Sequence, residues 1–131
     1  LSREVLEDGR VYISDYIFEK ALMYAQSWLE PAVLEKYESV YAQQKQKAAT
    51  PVLIIYIGDT TEHCMERIHL RNRKYEQGIE TGFLKHQQIW YNSFCENWKA
   101  CPLIQITAQQ CRTDRQVRKL ADEIRYYLPN N

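Results

Sequence analysis

The sequence predicts an α/β fold in which a parallel sheet is flanked by helices. Segments rich in β-branched and aromatic residues alternate along the chain with segments whose apolar residues recur at helical spacing. One strand-like segment, residues 52–57, is an unbroken apolar run (VLIIYI), which is typical of a strand covered on both faces. Strands that alternate with helices favour a parallel sheet joined by helical crossovers.

The first predicted strand is residues 10–14 (RVYIS), and a predicted helix over residues 15–29 follows it directly. The apolar residues that share a face of this helix are Ile17, Ala21, Leu22, Ala25, Trp28 and Leu29. Residues 30–49 predict a second amphipathic helix, with Pro31 suited to its first turn. Its predicted apolar face consists of Val33, Tyr37, Val40 and Tyr41.

The central predicted strand, residues 52–57, leads into a turn and a helix within residues 58–72. The candidate caps of that helix are Asp59, Thr60 and Thr61. A looser segment with two glycines then leads to a predicted helix at residues 83–98. Its aromatic residues Trp90, Phe94 and Trp98 recur every fourth position, which indicates core packing.

The last two predicted elements are a strand at residues 102–106 (PLIQI) and a helix at residues 114–128. The predicted core side of this helix comprises Val117, Leu120, Ala121, Ile124 and Leu128. The order of elements therefore remains consistent with an α/β fold to the end of the sequence.

Composition argues against several classes of function. The 131 residues include 17 basic and 17 acidic side chains, so the global positive charge typical of nucleic-acid or membrane-surface binding is missing, and any anion binding must be local. No apolar run reaches the roughly 18 residues of a membrane span, and the charged N-terminal stretch does not resemble a signal peptide. We expect a cytoplasmic protein that binds neither nucleic acid nor membrane.

The cysteine and histidine patterns do not predict a metal site. The four cysteines form no C-x-x-C pair and have no histidine at zinc-finger spacing, so reduced thiols are expected. The histidines His63, His69 and His86 have no metal partner at a useful spacing and are interpreted as ordinary helix or surface residues.

Positive charge is concentrated in one short stretch that contains Arg67, Arg71, Arg73 and Lys74 and is followed by Glu76. Arg67 and Arg71 lie on one face near the end of a predicted helix. Cations at a helix C-terminus are favourable in themselves, which gives a purely structural interpretation. Planar guanidinium groups also suit phosphate oxygens, and the glycine-containing loop that follows favours a mobile phosphate-binding lid.

Residues 67–79 read R-I-x-L-R-x-R-x-x-E-Q-G-I, a pattern that resembles the lid of deoxyribonucleoside kinases. Thymidylate kinases have a looser version of it. Residues 50–68 are similar to the strand and helix that precede the lid in this family. Residues 101–128 resemble its last strand, adenine-side loop and terminal helix, and residues 11–25 resemble the strand, acidic turn and helix after its substrate-binding region.

The resemblance implies a P-loop kinase-type fold, a three-layer arrangement with a parallel sheet flanked by helices, and a lid at about residues 67–82. It implies that Arg67, Arg71 and Arg73 are catalytic and close over the transferring phosphoryl group, with Arg67 and Arg71 also binding ATP. Glu76 would accept a hydrogen bond from the 3'-hydroxyl of the sugar. Positioned cations suit phosphoryl transfer because the reaction spreads negative charge over the transferred oxygens.

ATP and Mg²⁺ are the implied cofactors. Asp15 would act on Mg²⁺, although Ser14 or Asp15 could instead cap the helix that follows. Tyr16 stands where the family usually has an arginine and is placed on the substrate side. The implied adenine-side contacts, made mainly through backbone and packing, come from Gln109, Gln110, Arg112 and Asp114.

The phosphate-binding loop G-x-x-x-x-G-K-[ST] does not occur in the sequence, which begins with Leu1. We therefore expect residues 1–131 to be the C-terminal portion of a single kinase-like domain whose N-terminal P-loop strand is missing. The expected partners are a nucleoside and ATP, together with a second copy in a homodimer or the missing N-terminal segment of the same protein.

The function that the resemblance implies is ATP-dependent phosphorylation of the 5'-hydroxyl of a deoxyribonucleoside in nucleotide salvage, with this fragment alone inactive. Two alternatives remain open. One is a thymidylate-type nucleotide kinase, whose acceptor is already a phosphate. The other is a non-catalytic interaction subunit with a kinase fold, for which an accessory subunit of respiratory complex I is a precedent.

Overall fold

The computed structural model describes residues 10–128. The chain divides into two compact units, Leu1–Thr50 and Pro51–Asn131, and each is described by itself. Within the described residues the architecture is mixed α/β with one small parallel sheet, as the sequence predicts.

The first unit contains helices α1 (Glu19–Trp28) and α2 (Pro31–Lys45). Pro31 occupies the first turn of α2, where its missing N–H costs nothing. The core between the two helices is formed by Met23 and Ala25 of α1 and by Tyr41 of α2. The Phe18 ring stacks on the Tyr41 ring with centroids 4.8 Å apart.

Helix α1 begins four residues later than residue 15, where the sequence predicts its start. The reason is a local turn: the Ser14 hydroxyl donates to the Tyr16 carbonyl (2.8 Å) and accepts from the Tyr16 N–H (3.1 Å). A serine that bonds its neighbours' backbone in this way competes with helix formation. The predicted cap by Ser14 or Asp15 is therefore wrong.

The strand predicted at residues 10–14 is also wrong, because no regular secondary structure forms there. Val11 and Ile13 are 52% and 98% exposed. Composition alone does not make a strand, because a strand persists only where a neighbouring strand takes its backbone hydrogen bonds.

The second unit is built on strands β1 (Ile54–Gly58) and β2 (Leu103–Thr107), which pair in parallel with Ile54 opposite Leu103. Both lie within two residues of their predicted positions. Ile54 and Ile104 are buried at the centre of the sheet. Ile57 is 55% exposed, so the described residues cover only part of the two faces that the apolar run predicts to be covered.

Three helices complete the described part of this unit: α3 (Thr61–Arg71), α4 (Thr81–Asn97) and α5 (Asp114–Tyr127). The Thr60 hydroxyl caps α3 by accepting from the His63 N–H at 3.2 Å, so one of the three predicted caps is confirmed. Short 3₁₀ turns occupy Lys74–Glu76, after α3, and Ala108–Cys111, after β2.

The aromatic stripe of α4 forms as predicted. Trp90 and Phe94 stack with their ring centroids 5.3 Å apart, and Phe94 and Trp98 lie 5.0 Å apart. The ring of Tyr56 on β1 stacks on Tyr91 of α4 at 5.4 Å, which fixes the helix against the sheet. Among residues 10–128, no helix is both long and apolar enough to cross a membrane.

Candidate active site

Arg71 and Glu76 form a two-pronged ion pair at the C-terminal end of α3. The Arg71 Nε donates to Glu76 Oε2 at 2.9 Å, and Arg71 Nη2 donates to Glu76 Oε1 at 2.8 Å. The Glu76 side chain is only 11% exposed, whereas that of Arg71 is 48% exposed. The carboxylate is therefore fixed inside the turn, and the guanidinium group keeps a large face toward solvent.

Asn72 determines how the chain leaves α3. Its φ of 49° and ψ of 40° place it in the left-handed region, which asparagine tolerates better than most residues. The chain reverses there and continues into the 3₁₀ turn that carries Glu76, while the Gln77 side-chain amide donates to Asn72 Oδ1 at 3.2 Å. This position is not among those predicted from the sequence, although an asparagine at a helix end is a recognised signal.

Arg73 follows this reversal and approaches the same carboxylate. Its Nη1 lies 3.7 Å from Glu76 Oε1 and donates to the Tyr75 hydroxyl at 3.0 Å. Two guanidinium groups and one carboxylate thus share one place on the surface and leave one net positive charge. Such a cluster can attract an anion, and its guanidinium forks can bind phosphate oxygens.

Arg67 lies apart from this cluster and binds Asp59. Its Nη1 donates to Asp59 Oδ2, and its Nη2 donates to the Cys64 sulfur at 3.2 Å. His63 Nδ1 lies 2.9 Å from Asp59 Oδ1. Hydrogen bonds from Arg67 first, and then from His63, hold the pKa of Asp59 well below its usual range, against the opposing effect of desolvation.

The role of Asp59 and His63 was missed by sequence reasoning. Asp59 is one of the three predicted caps, and His63 is interpreted as an ordinary residue. A signal was present in the sequence, because a long side chain on a helix points back toward the N-terminus and an aspartate there is a natural partner for it.

A cleft of about 490 Å³ lies between the start of α3 and α4. It is lined by Thr60, Thr61, Glu62, Lys85, Gln88 and Ile89. Two of its lining residues are bonded to each other: the Thr61 hydroxyl donates to Gln88 Oε1 at 3.1 Å, and Gln88 Nε2 also donates to the Asp59 carbonyl at 3.4 Å. These bonds connect α4 to the chain just after β1.

The loop predicted to lie beside adenine is ordered by its own side chains. Gln110 Oε1 accepts from the Thr107 N–H at 2.7 Å, and Gln116 Oε1 accepts from the Thr113 N–H at 3.1 Å. Gln110 thereby completes a capping box at the 3₁₀ turn Ala108–Cys111, and Gln116 completes one at the start of α5. Its predicted contact residues Gln109, Gln110, Arg112 and Asp114 are exposed.

Asp15 and Tyr16 belong to the first unit. Both are exposed, and the amine of Lys20 donates to the Asp15 carbonyl at 3.3 Å and lies 5.7 Å from the centre of the Tyr16 ring. Since α1 begins at Glu19, the Asp15 carboxylate is not used as a helix cap. Its predicted role at Mg²⁺ stays a prediction.

Metal ligands do not cluster in the part of the chain that the structure describes. Residues 10–128 contain no group of three or more His, Cys, Asp or Glu side chains placed to share a metal ion. All four cysteines are free thiols, with Cys95 buried and the others half-buried.

Comparison with known proteins gives one family. The model of the deoxynucleoside kinase family matches residues 2–128. A deoxyguanosine kinase of Bacillus subtilis (strain 168) is 34% identical over 84 residues, which is 64% of this chain and 41% of that protein. No solved structure gave a significant match.

A second curated relative extends the similarity over most of the chain. Deoxycytidine kinase 2 of Gallus gallus is 28% identical over 137 aligned positions, covering 96% of this chain and 50% of that protein. The chain thus spans about half the length of the curated relatives it matches, or less.

Proposed function

The chain belongs to the deoxynucleoside kinase family, and we propose on this basis that it supplies the lid of an enzyme that transfers a phosphoryl group from ATP to the 5'-hydroxyl of a deoxyribonucleoside. The observation that carries the proposal is the cluster of Arg71, Arg73 and Glu76 immediately after α3. The relatives carry the names of two different deoxynucleosides, so the proposal is for the class and not for one base.

The proposed work of the arginines is electrostatic. Phosphoryl transfer develops charge on the equatorial oxygens of the transferred group, and fixed cations lower the barrier without covalent chemistry. Arg71 and Arg73 are about half exposed at their side chains, so they can turn toward a phosphate while the helix behind them stays formed.

Glu76 is proposed to bind the sugar. A carboxylate oxygen has more than one acceptor site, so Glu76 can accept from a sugar hydroxyl while it keeps one arm of Arg71. The 3₁₀ turn holds it in place, since the Glu76 N–H donates to the Arg73 carbonyl at 2.9 Å. Substrate binding and arginine placement would then be coupled through one side chain.

Asp15 is the proposed Mg²⁺ ligand of this chain. The ion is commonly held by one or two carboxylates together with waters and substrate phosphates, and the Asp15 side chain is exposed, so one carboxylate from this chain is compatible with that arrangement. When bound with ATP, the ion neutralises charge on the phosphates. Adenine is proposed to pack against residues 109–114, mainly on backbone, because the side-chain oxygen of Gln110 is already used within the turn.

The decisive experiment replaces Arg71 in the full-length protein. Arg71→Ala is expected to lower kcat about 10²- to 10³-fold, the usual loss for one transition-state donor. Arg71→Lys should recover only part of it, because an ammonium group cannot form the two-pronged contact. ADP release would be measured with each of the four deoxyribonucleosides as acceptor.

The matched control is Arg125→Ala, which removes an arginine from an ion pair with Asp122 on α5, where both side chains are 72% exposed. Its turnover should equal that of the parent. Unchanged turnover in Arg71→Ala would remove the lid from the mechanism. Activity only on deoxyribonucleoside monophosphates would favour a nucleotide kinase, and no phosphorylation of any acceptor by the parent would favour a non-catalytic subunit.

A further inference from the structure

Asp59 lies at the carboxyl end of β1, directly after Gly58. This is the edge of a parallel sheet where ligands bind in open α/β folds. The side chain of Asp59 is 4% exposed, and its backbone carbonyl accepts from Gln88 of α4. Such a buried carboxylate is costly unless it is fully paired.

Both oxygens of this carboxylate are engaged. Oδ1 accepts from the Thr60 N–H at 2.8 Å and contacts His63 Nδ1 at 2.9 Å, while Oδ2 accepts from Arg67. A carboxylate can only accept, so the proton of the His63 contact lies on Nδ1. The Asp59 carboxylate is thus a fixed anion held by the Thr60 N–H and by two side chains of α3.

Arg67 is drawn to this anion from the second turn of α3. Its side chain runs back along the helix, as long helical side chains do, and brings the guanidinium group to the carboxyl end of β1. A guanidinium carries five N–H donors, and the two contacts of Arg67 with Asp59 and Cys64 leave the rest of the fork for a ligand. The side chain is 55% exposed.

We propose that Asp59 is a positioning residue, which holds the Arg67 guanidinium at the carboxyl end of β1 so that its open side faces the phosphates. This inference rests on the proposed kinase function. An aspartate is ordinarily ionised at neutral pH, and the hydrogen bonds from Arg67 and His63 lower the pKa of Asp59 further, so both partners of the contact are charged under working conditions.

A purely structural role for Asp59 is the competing explanation. Thr60 already caps α3 through its hydroxyl, and Asp59 adds an ion pair at the same helix end. The test must therefore separate a loss of helix stability from a displacement of Arg67. Thr60→Ala provides the matched control, because it weakens the same helix start and leaves the Asp59–Arg67 contact in place.

The kinetic arm measures Asp59→Asn, Thr60→Ala and Arg67→Gln, together with the Asp59→Asn/Arg67→Gln double variant. Asp59→Asn should lower kcat roughly 10- to 100-fold, because small displacements of a catalytic group are costly, with the nucleoside KM within about twofold. In the Arg67→Gln background the same change should cost less than about twofold. An equal loss in both backgrounds, or the same loss in Thr60→Ala, would overturn the proposal.

The second arm does not depend on activity. Nitrogen-15 NMR of the Arg67 guanidinium reports rotation about its C–N bonds, which the Asp59 contact should slow. Asp59→Asn should accelerate this rotation severalfold, and Thr60→Ala should not. Unchanged rotation in Asp59→Asn would refute the positioning role even in an active enzyme, whereas an inactive parent with slow Arg67 rotation would refute the kinase proposal alone.

Discussion

Removal of the Arg71 guanidinium is expected to loosen the turn that carries Glu76 and to leave the sheet unchanged. Three backbone bonds define this turn: the Glu76 N–H donates to the Arg73 carbonyl at 2.9 Å, the Gln77 N–H to the Lys74 carbonyl at 3.4 Å, and the Ile79 N–H to the Glu76 carbonyl at 3.0 Å. The Arg71 fork attaches the turn to the end of α3. Arg71→Ala removes that attachment.

The magnitude follows from the exposure of the two side chains. A hydrogen bond to a charged group contributes about 1.5–3 kcal/mol, whereas an exposed ion pair contributes about 0–1 kcal/mol. Glu76 is 11% exposed and Arg71 is 48% exposed, so this fork lies between the two cases. We expect Arg71→Ala to lower the free energy of opening the turn by about 1.5 kcal/mol, which is about a tenfold change in the local opening equilibrium.

The assay is amide hydrogen exchange under native conditions in which closing is faster than exchange. Exchange at the Glu76 and Ile79 amides should accelerate about tenfold in Arg71→Ala. The Ile54 amide, which donates to the Pro102 carbonyl at 3.0 Å beside the sheet, should exchange as in the parent. Arg125→Ala again serves as the control.

Two results would contradict this reasoning. Equal exchange at Glu76 in Arg71→Ala and Arg125→Ala would mean that the fork has no more effect than an exposed surface pair. Acceleration at Ile54 as well as at Glu76 would mean that the substitution destabilises the whole unit and that the turn is not an independent element.

Two further predictions concern the same helix. The folded-state pKa of Asp59 is lowered, so its stabilising contribution is complete above the ordinary aspartate pKa of about 3.9 and is lost as the pH falls through the lower, folded-state pKa. The free energy of unfolding measured in urea should therefore fall more steeply with acidification in the parent than in Asp59→Asn. Parallel pH dependences of the two proteins would contradict the ion pair. Asn72→Gly should retain or slightly raise the melting temperature, because glycine accepts the left-handed conformation. Asn72→Val should lower the free energy of unfolding by about 1–2 kcal/mol, because a β-branched residue does not. Equal melting temperatures for the two variants would show that the left-handed conformation at residue 72 is not maintained in solution.

The sequence predicts the elements whose own apolar pattern is clear, even where the pairing partner is distant in the chain, as Leu103 is from Ile54. The strands β1 and β2 and the helices α3, α4 and α5 have apolar patterns that agree with the observed elements, and one predicted cap of α3, Thr60, is confirmed. Residues 10–14 have an equally good strand composition, yet their conformation depends on a neighbour that the pattern does not describe. The start of α1 was misjudged because a single serine hydroxyl redirects the backbone.

The candidate site also has one part that the sequence predicts and one part that it does not. Arg71, Arg73 and Glu76 are close in sequence, and the structure brings them into one cluster. Whether they act on a phosphoryl group and a sugar stays a prediction. The contact of Arg67 with Asp59 was not foreseen, because rules of helix spacing apply within a helix and Asp59 lies before its cap.

The arginines of helix α3 are balanced by carboxylates nearby, which is consistent with the zero net charge of the chain. The helix has an arginine directed toward each end, and each arginine is held by a carboxylate outside the helix: Arg67 by Asp59 and Arg71 by Glu76. The carboxylate before the helix and the guanidinium at its end both match the helix dipole. Under the proposed function, the phosphates of ATP would compete for these guanidinium groups, and a sugar hydroxyl would compete for Glu76. A neutral nucleoside alone carries no charge with which to draw Arg71 away from its carboxylate, so lid closure would require the phosphates as well as the sugar.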